Sequence, residues 1–148
     1  MVKNPPEGCQ RIIPYLAYAD AATAIDYLCR VFGFTERMRM PMPDGRVGHA
    51  ELDLEGDCLM LASAGPEMNM VSARGLPGLH ALMAVYVTDV DAHYARACAQ
   101  GATILQELTT QFYGDRSYRA VDCEGQCWTF ATHVKDPTPE ELAAGCGG

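Results

Sequence analysis

His49 and Glu51 are the residues of this chain whose types and spacing best suit joint chemistry. One residue separates them, so on an extended strand they share a face, roughly 7 Å apart along the chain. With the distant His80 they have the outline of a two-histidine, one-carboxylate iron site. Without a metal, the imidazole and the carboxylate could serve as acid and base. A carboxylate facing an apolar surface needs a charged or hydrated partner. Histidinium, Arg37, Arg39 and Arg116 are the candidates, and the sequence does not choose among them. The bland reading places this strand at a sheet edge, where both side chains meet water. His93 is expected to be solvated on a helix, and His133 to end a strand. No residue is assigned a catalytic role.

The cysteines read first as packing groups. Their number, 7, is odd, and no C-x-x-C pair occurs. Cys29 and Cys98 fall in apolar helical patterns, and Cys58 and Cys127 in apolar strands. These four are expected to be reduced and buried, acting as small hydrophobes. Cys146 lies in a Gly-rich tail and is expected to be exposed and oxidisable. The net charge of -8 disfavours nucleic acid and anionic membrane as partners. No apolar run is long enough for a membrane span. Met1 to Gly8 has no apolar signal core, so a cytoplasmic location is the default expectation. A length of 148 residues with 49% hydrophobic composition suits one domain with a real core.

The elements that position these residues come in two copies. Asp53-Leu54-Glu55-Gly56-Asp57-Cys58-Leu59-Met60-Leu61-Ala62 aligns with Asp122-Cys123-Glu124-Gly125-Gln126-Cys127-Trp128-Thr129-Phe130-Ala131 at a shift of 69. Asp, Glu, Gly, Cys and Ala match in place. The same shift pairs Asp20 with Asp89 and Gly45 with Gly114. A repeat of this length means two similar modules. In the first, residues 11–19 suit a strand. Asp20 caps a helix with Ile25, Leu28, Cys29 and Phe32 on one face, and Gly33 ends it. Strands follow at 34–40, 47–54 and 58–63, with a Pro43-Asp44-Gly45 turn and a tight Glu55-Gly56 turn. Residues 64–79 read as a linker. The second module has a strand near 82–87, a helix from Asp89 to Gly101, and strands at 102–109, 117–122 and 126–132. Thr138-Pro139-Glu140-Glu141 looks like a helix start. The expected class is α+β, two tandem βαβββ modules at about 10–63 and 80–134 in a single domain, with a tail from 135.

The words YLAYADAATAIDYLCRVFGF and YVTDVDAHYARACAQGA resemble the opening strand, helix and glycine step of the vicinal-oxygen-chelate superfamily, which includes glyoxalases, bleomycin-resistance proteins and extradiol dioxygenases. MRMPMPDGRVGHAEL and QFYGDRSYRAVDCEGQCWTFATH resemble its PhnB-like branch. The resemblance covers about residues 10 to 134. It implies a curved mixed-sheet cleft and, commonly, one divalent metal held by four side chains on the first and last strands of each module. Those positions fall on Ile13, Met60, Leu82 and Thr129. Aliphatic, thioether and hydroxyl groups cannot hold Zn, Ni, Mn or Fe in the usual way, so the metal site is expected to be lost. No cofactor is expected.

Strand parity sorts the cleft face implied by the resemblance. Leu59, Leu61, Trp128 and Phe130 should pack on the helices. Cys58, Met60, Ala62, Cys127, Thr129 and Ala131 should face the cleft with His49, Glu51 and Asp53. Ile13, Tyr15, Ala17, Leu82, Ala84 and Tyr86 join them, with Met38 and Met40. The expected ligand-binding set is Tyr15, Met38, Met40, His49, Glu51, Met60, Tyr86 and Thr129. Methionine-rich clefts suit flat apolar ligands. The loop Gln111 to Arg116 either covers the cleft or is held by its own Asp-Arg and Tyr contacts. By resemblance, the protein is expected to be a homodimer that sequesters an aromatic drug or natural product without a metal. The alternative is an enzyme of the same superfamily, a lyase, isomerase or dioxygenase, with an unusual site at His49 and Glu51.

Overall fold

The computed structural model describes residues 1–147. It divides into two compact units. The first comprises Met1–His80 with the short segment Asp122–Gln126, and the second comprises Ala81–Val121 and the chain from Cys127 onward. The first unit runs β1 (Tyr15–Tyr18), α1 (Ala21–Phe32), β2 (Thr35–Pro41), β3 (Val47–Leu54) and β4 (Asp57–Ser63). The second runs β5 (Met83–Tyr86), α2 (Val90–Ala99), β6 (Thr103–Thr110), β7 (Asp115–Val121) and β8 (Cys127–His133), followed by α3 (Pro139–Cys146). The sheet orders are β1-β4-β3-β2 and β5-β8-β7-β6. β1 and β4 are parallel, as are β5 and β8, and the other pairs are antiparallel. Each unit is therefore a mixed sheet with one crossover helix, the α+β, βαβββ pattern read from the repeat. The register repeats too. Tyr15 opposes Met60, and Ala84 opposes Thr129.

Helix starts follow the sequence. The Asp20 carboxylate accepts the Thr23 N–H at 3.1 Å, and that of Asp89 accepts the Ala92 N–H at 3.0 Å. In α1 the buried stripe is Ala21, Ala24, Ile25, Leu28, Val31 and Phe32, spaced for one helix face. Cys29 sits beside that stripe and is only half-buried. In α2 the buried residues are Val90 and Ala97, with His93 and Tyr94 half-buried between them. This stripe corrects two expectations. Cys98 lies one residue past it and is exposed. His93 lies on it: its Nδ1 is 2.7 Å from the Tyr118 hydroxyl, and its ring centroid is 4.2 Å from that of Phe130. Cys58 is buried and Cys146 exposed, as expected, while Cys127 is half-buried.

The helix-facing side of each sheet makes the core. In the first unit it presents Tyr18, Ala50, Leu52, Leu59 and Leu61, and in the second Tyr118, Ala120, Trp128 and Phe130, all buried. Each large side chain buried this way contributes about 1.5–3 kcal/mol. The first strand is shorter than residues 11–19, and it begins right after Pro14, which has no N–H for a ladder. The Asp-Arg pair expected in the loop at 111–116 does not form. Asp115 and Arg116 open β7, and Arg116 donates to Asp91 at 3.0–3.2 Å. Gly114 has φ +99°, and a Cβ there would lie 1.9 Å from the Lys135 carbonyl oxygen, so this turn requires glycine. Thr138 and Glu141 form a full capping box at α3.

Candidate functional site

β3 lies between β2 and β4, so His49 and Glu51 are not on an edge strand. The expected edge position is thereby corrected, while both side chains remain partly exposed. Cross-strand pairing sets Tyr15, Met60, Glu51 and Met38 in one row: Tyr15 opposes Met60, Met60 opposes Glu51, and Glu51 opposes Met38. Met40 opposes His49. Ala50, Leu52, Leu59 and Leu61 alternate with these residues and point to the core, so the row lies on the side of the sheet away from α1. A register shift between Glu36 and Met38 lets β2 keep its methionines on this face.

A hydrogen-bonded chain crosses the face. The Tyr15 hydroxyl is 2.8 Å from His49 Nδ1, and His49 Nε2 is 3.2 Å from Glu51 Oε1. A carboxylate only accepts, so Nε2 carries the proton that faces Glu51. In that tautomer Nδ1 accepts, and the Tyr15 hydroxyl donates to it. Burial, and next the charge of Glu51, push the Tyr15 phenol above its ordinary range, which keeps it a donor. The Glu51 partner is thus its own neighbour on the strand. The arginines are used elsewhere: Arg37 donates to Asp53 at 2.5 Å, Arg39 to Glu36 at 2.6 Å, and Arg116 to Asp91.

The rest of the face is apolar. Met60 is half-buried, while Met38 and Met40 are 37% and 54% exposed. Cys58 and Ala62 have the parity of Met60 but are buried, which removes them from an open surface. Cys58 is covered by the N-terminal segment. The Gln10 amide donates to the Cys58 carbonyl at 2.8 Å and accepts its N–H at 2.9 Å.

The second unit carries the remaining expected residues on the corresponding face of its own sheet. Thr129 opposes Ala84 and Arg119. Arg119 was not among the expected site residues. Its Nε donates to Thr129 Oγ1 at 3.3 Å. The repeat alignment maps Glu51 onto Ala120. However, β7 pairs with β8 one residue out of step with the first module, so Arg119 takes the place of Glu51. The alternation of Tyr118, Arg119, Ala120 and Val121 carried that signal. Tyr86 is 65% exposed and donates to Asp115 Oδ2 at 2.7 Å, a bond that is the first cause of its raised pKa. Asp115 Oδ1 in turn meets His133 Nδ1 at 2.7 Å.

The four positions aligned with a metal set hold Ile13, Met60, Leu82 and Thr129, and this donor set does not fit a divalent ion. His80 is exposed and does not complete an iron site with His49 and Glu51. Among the described residues, no group of three or more His, Cys, Asp or Glu side chains is placed to hold a metal ion.

Comparison with known proteins agrees with this architecture. An uncharacterised protein of Mycobacterium bovis is 35% identical over 134 residues, covering 88% of each chain. One from Mycobacterium tuberculosis is 35% identical over the same length, 79% of its own chain. Among solved structures, TioX from Micromonospora sp. ML1 superposes with a TM-score of 0.69 at 38% identity, covering 84% of this chain and 99% of that one. TnmS3 from Streptomyces sp. CB03234, described as an antibiotic binding protein, shares the fold with a TM-score of 0.63 at 21% identity, covering 84% and 99%. Residues 11–138 match the model of the Glyoxalase/Bleomycin resistance protein/Dioxygenase superfamily, and the chain belongs to that family.

Proposed function

We propose that this chain is a metal-independent, homodimeric binding protein for a hydrophobic, aromatic small molecule, in the manner of drug or natural-product sequestration. The observation that carries the reading is the Tyr15–His49–Glu51 chain set among Met38, Met40 and Met60 on one sheet face. Thioethers mould to flat rings and contact them at about 0.3–1.5 kcal/mol each. The polar chain fixes the orientation of Glu51 and leaves its second oxygen to accept an N–H or O–H of a ligand. Tyr86 and Thr129 are further candidate contacts on the face of the second unit. The description of TnmS3 as an antibiotic binding protein supports the ligand class, and TnmS3 shares this fold.

A panel of planar aromatics, sugars and nucleotides tested by thermal shift should place the aromatics first. Calorimetry with the best aromatic should then show Glu51→Gln and His49→Ala each weakening binding at least ten-fold, about 1.4 kcal/mol, with the fold intact. Nucleotides ranking above aromatics would defeat the reading.

The contact between His49 and Glu51 also favours a second reading, an acid–base enzyme of the same superfamily. The two separate cleanly: a binding protein returns its aromatic ligand unchanged after prolonged incubation, whereas an enzyme returns product.

A further inference from the structure

The end of this sheet next to the candidate face carries a second cluster. Gly8, Cys9 and Gln10 run against β2 and β4. Gly8 packs on the Arg37 guanidinium, where a Cβ would lie 3.5 Å from both terminal nitrogens. Arg37 Nη1 donates to Cys9 Sγ at 3.8 Å, and Arg37 Nη2 donates to Asp53, the residue paired with Cys58 across the strands. Gln10 bonds both backbone groups of Cys58. These contacts place Cys9 beside β4, next to Cys58. Cys58 is 2% exposed, while Cys9 is half-exposed.

We propose that Cys9 and Cys58 are a redox pair, converted by a peroxide to a disulfide that staples the N-terminal segment to β4. The two thiols differ in the way this chemistry needs. Cys9 is reachable from solvent, and its sulfur accepts a hydrogen bond from Arg37. Burial is the first cause that pushes the Cys58 thiol up to about 11, so Cys58 waits as the resolving partner. The steps balance. The Cys9 sulfur attacks one peroxide oxygen, the O–O bond breaks, and water leaves, giving the sulfenic acid. The Cys58 sulfur then attacks the Cys9 sulfur and its proton leaves with the hydroxyl as a second water. In sum, two thiols are oxidised to one disulfide and hydrogen peroxide is reduced to two waters. A dithiol reductant reverses the bond by exchange. The staple closes a long loop and fixes the segment beside Met60, so oxidation would rigidify the flank of the candidate face.

The test uses the full chain, reduced and then exposed to hydrogen peroxide, with remaining thiols alkylated and peptides mapped without reduction. The expected result is a cross-linked pair of peptides containing Cys9 and Cys58, formed before any other and removed by dithiothreitol. Oxidised wild-type protein should melt several degrees above reduced protein, and Cys9→Ser should show no such difference. In Cys58→Ser, Cys9 should be trapped by dimedone as the sulfenic acid. The proposal is overturned if Cys9 stays alkylatable after peroxide treatment. It is equally overturned if cross-links through the exposed Cys98, Cys123 and Cys146 form as readily as the Cys9–Cys58 link. Neither result bears on aromatic binding, which the ligand panel reads separately.

Discussion

Glu55 and Glu124 occupy the same place in the repeat, and the structure gives them opposite lives. Glu55 is exposed at a hairpin turn with φ +50°. The side chain of Glu124 is 1% exposed. It accepts the N–H groups of Ala19 and Asp20 at 2.7 and 2.9 Å, a hydrogen bond from the Ser72 hydroxyl, and an ion pair from Arg74. It thereby serves two backbone donors just where α1 begins, beside Asp122, which accepts the buried Tyr18 hydroxyl at 2.6 Å. Removing the carboxylate would strand those donors. Glu124→Ala is expected to cost about 3–5 kcal/mol, as for breaking a buried charged network. Glu55→Ala should stay within about 0.5 kcal/mol, as for an exposed position. Urea denaturation of both variants checks this, and equal losses would refute the assignment. The sequence displayed the Asp-x-Glu-Gly turn but not its burial, because what buries Glu124 arrives from residues far away along the chain. His49 and Glu51 were more legible, since period-2 alternation alone places them on one face.

At the scale of elements, the repeat made order and type readable, because capping aspartates and glycine stops recur with it. What it hid was a slip. One residue out of step in β7 moves Arg119 into the row that Glu51 holds in the first unit, and only the local alternation around Arg119, not the repeat, signals it. The C-terminal segment was legible as a helix start but not as a pH-sensitive element. His133 Nδ1 lies 2.7 Å from Asp115, and Nε2 lies 2.8 Å from Asp136. Both ring nitrogens face carboxylates, so both donate, and the ring is the imidazolium. Asp136 first, and then Asp115, raise its pKa above the ordinary 6.5. Tyr86 donates to the same Asp115, so the charged groups facing the ring are these two carboxylates. A raised folded-state pKa means that the stabilisation is complete below the unfolded value and is lost as pH rises through the folded one. The tie between β8 and the segment leading to α3 should therefore loosen from about pH 6.5 upward. Protection factors of amides after Val134, corrected for intrinsic exchange, should fall as pH rises above about 6.5 in wild type and stay flat in His133→Gln. The same fall in both would show that the ring is not the switch.

At the scale of the molecule, two features of the sheets drive the remaining expectations. The first is the donor set. With Ile13, Met60, Leu82 and Thr129 at the aligned metal positions, added Zn, Ni, Mn, Co or Fe should not raise the melting temperature. Stoichiometric metal that survives dialysis would sink that expectation. The second is uncovered apolar surface. On the first unit Met38 and Met40 are 37% and 54% exposed on edge strand β2, and on the second Leu82 and Tyr86 are 41% and 65% exposed around edge strand β5. Unpaired strand edges with exposed large apolar side chains are places that natural proteins cover or blunt with charge. A second copy of the chain is the covering that the homodimer proposal supplies, despite a charge of -8 on each copy. At physiological salt that repulsion is screened beyond about 8 Å, whereas apolar contact is not. Light scattering at micromolar concentration should then give twice the 16.1 kDa chain mass. Met40→Glu places a carboxylate on the covered edge and should shift the mass toward one chain, while raising the salt concentration should not. A wild-type mass of one chain, or a Met40→Glu variant that keeps the mass of two, would show that something other than a copy of this face covers it.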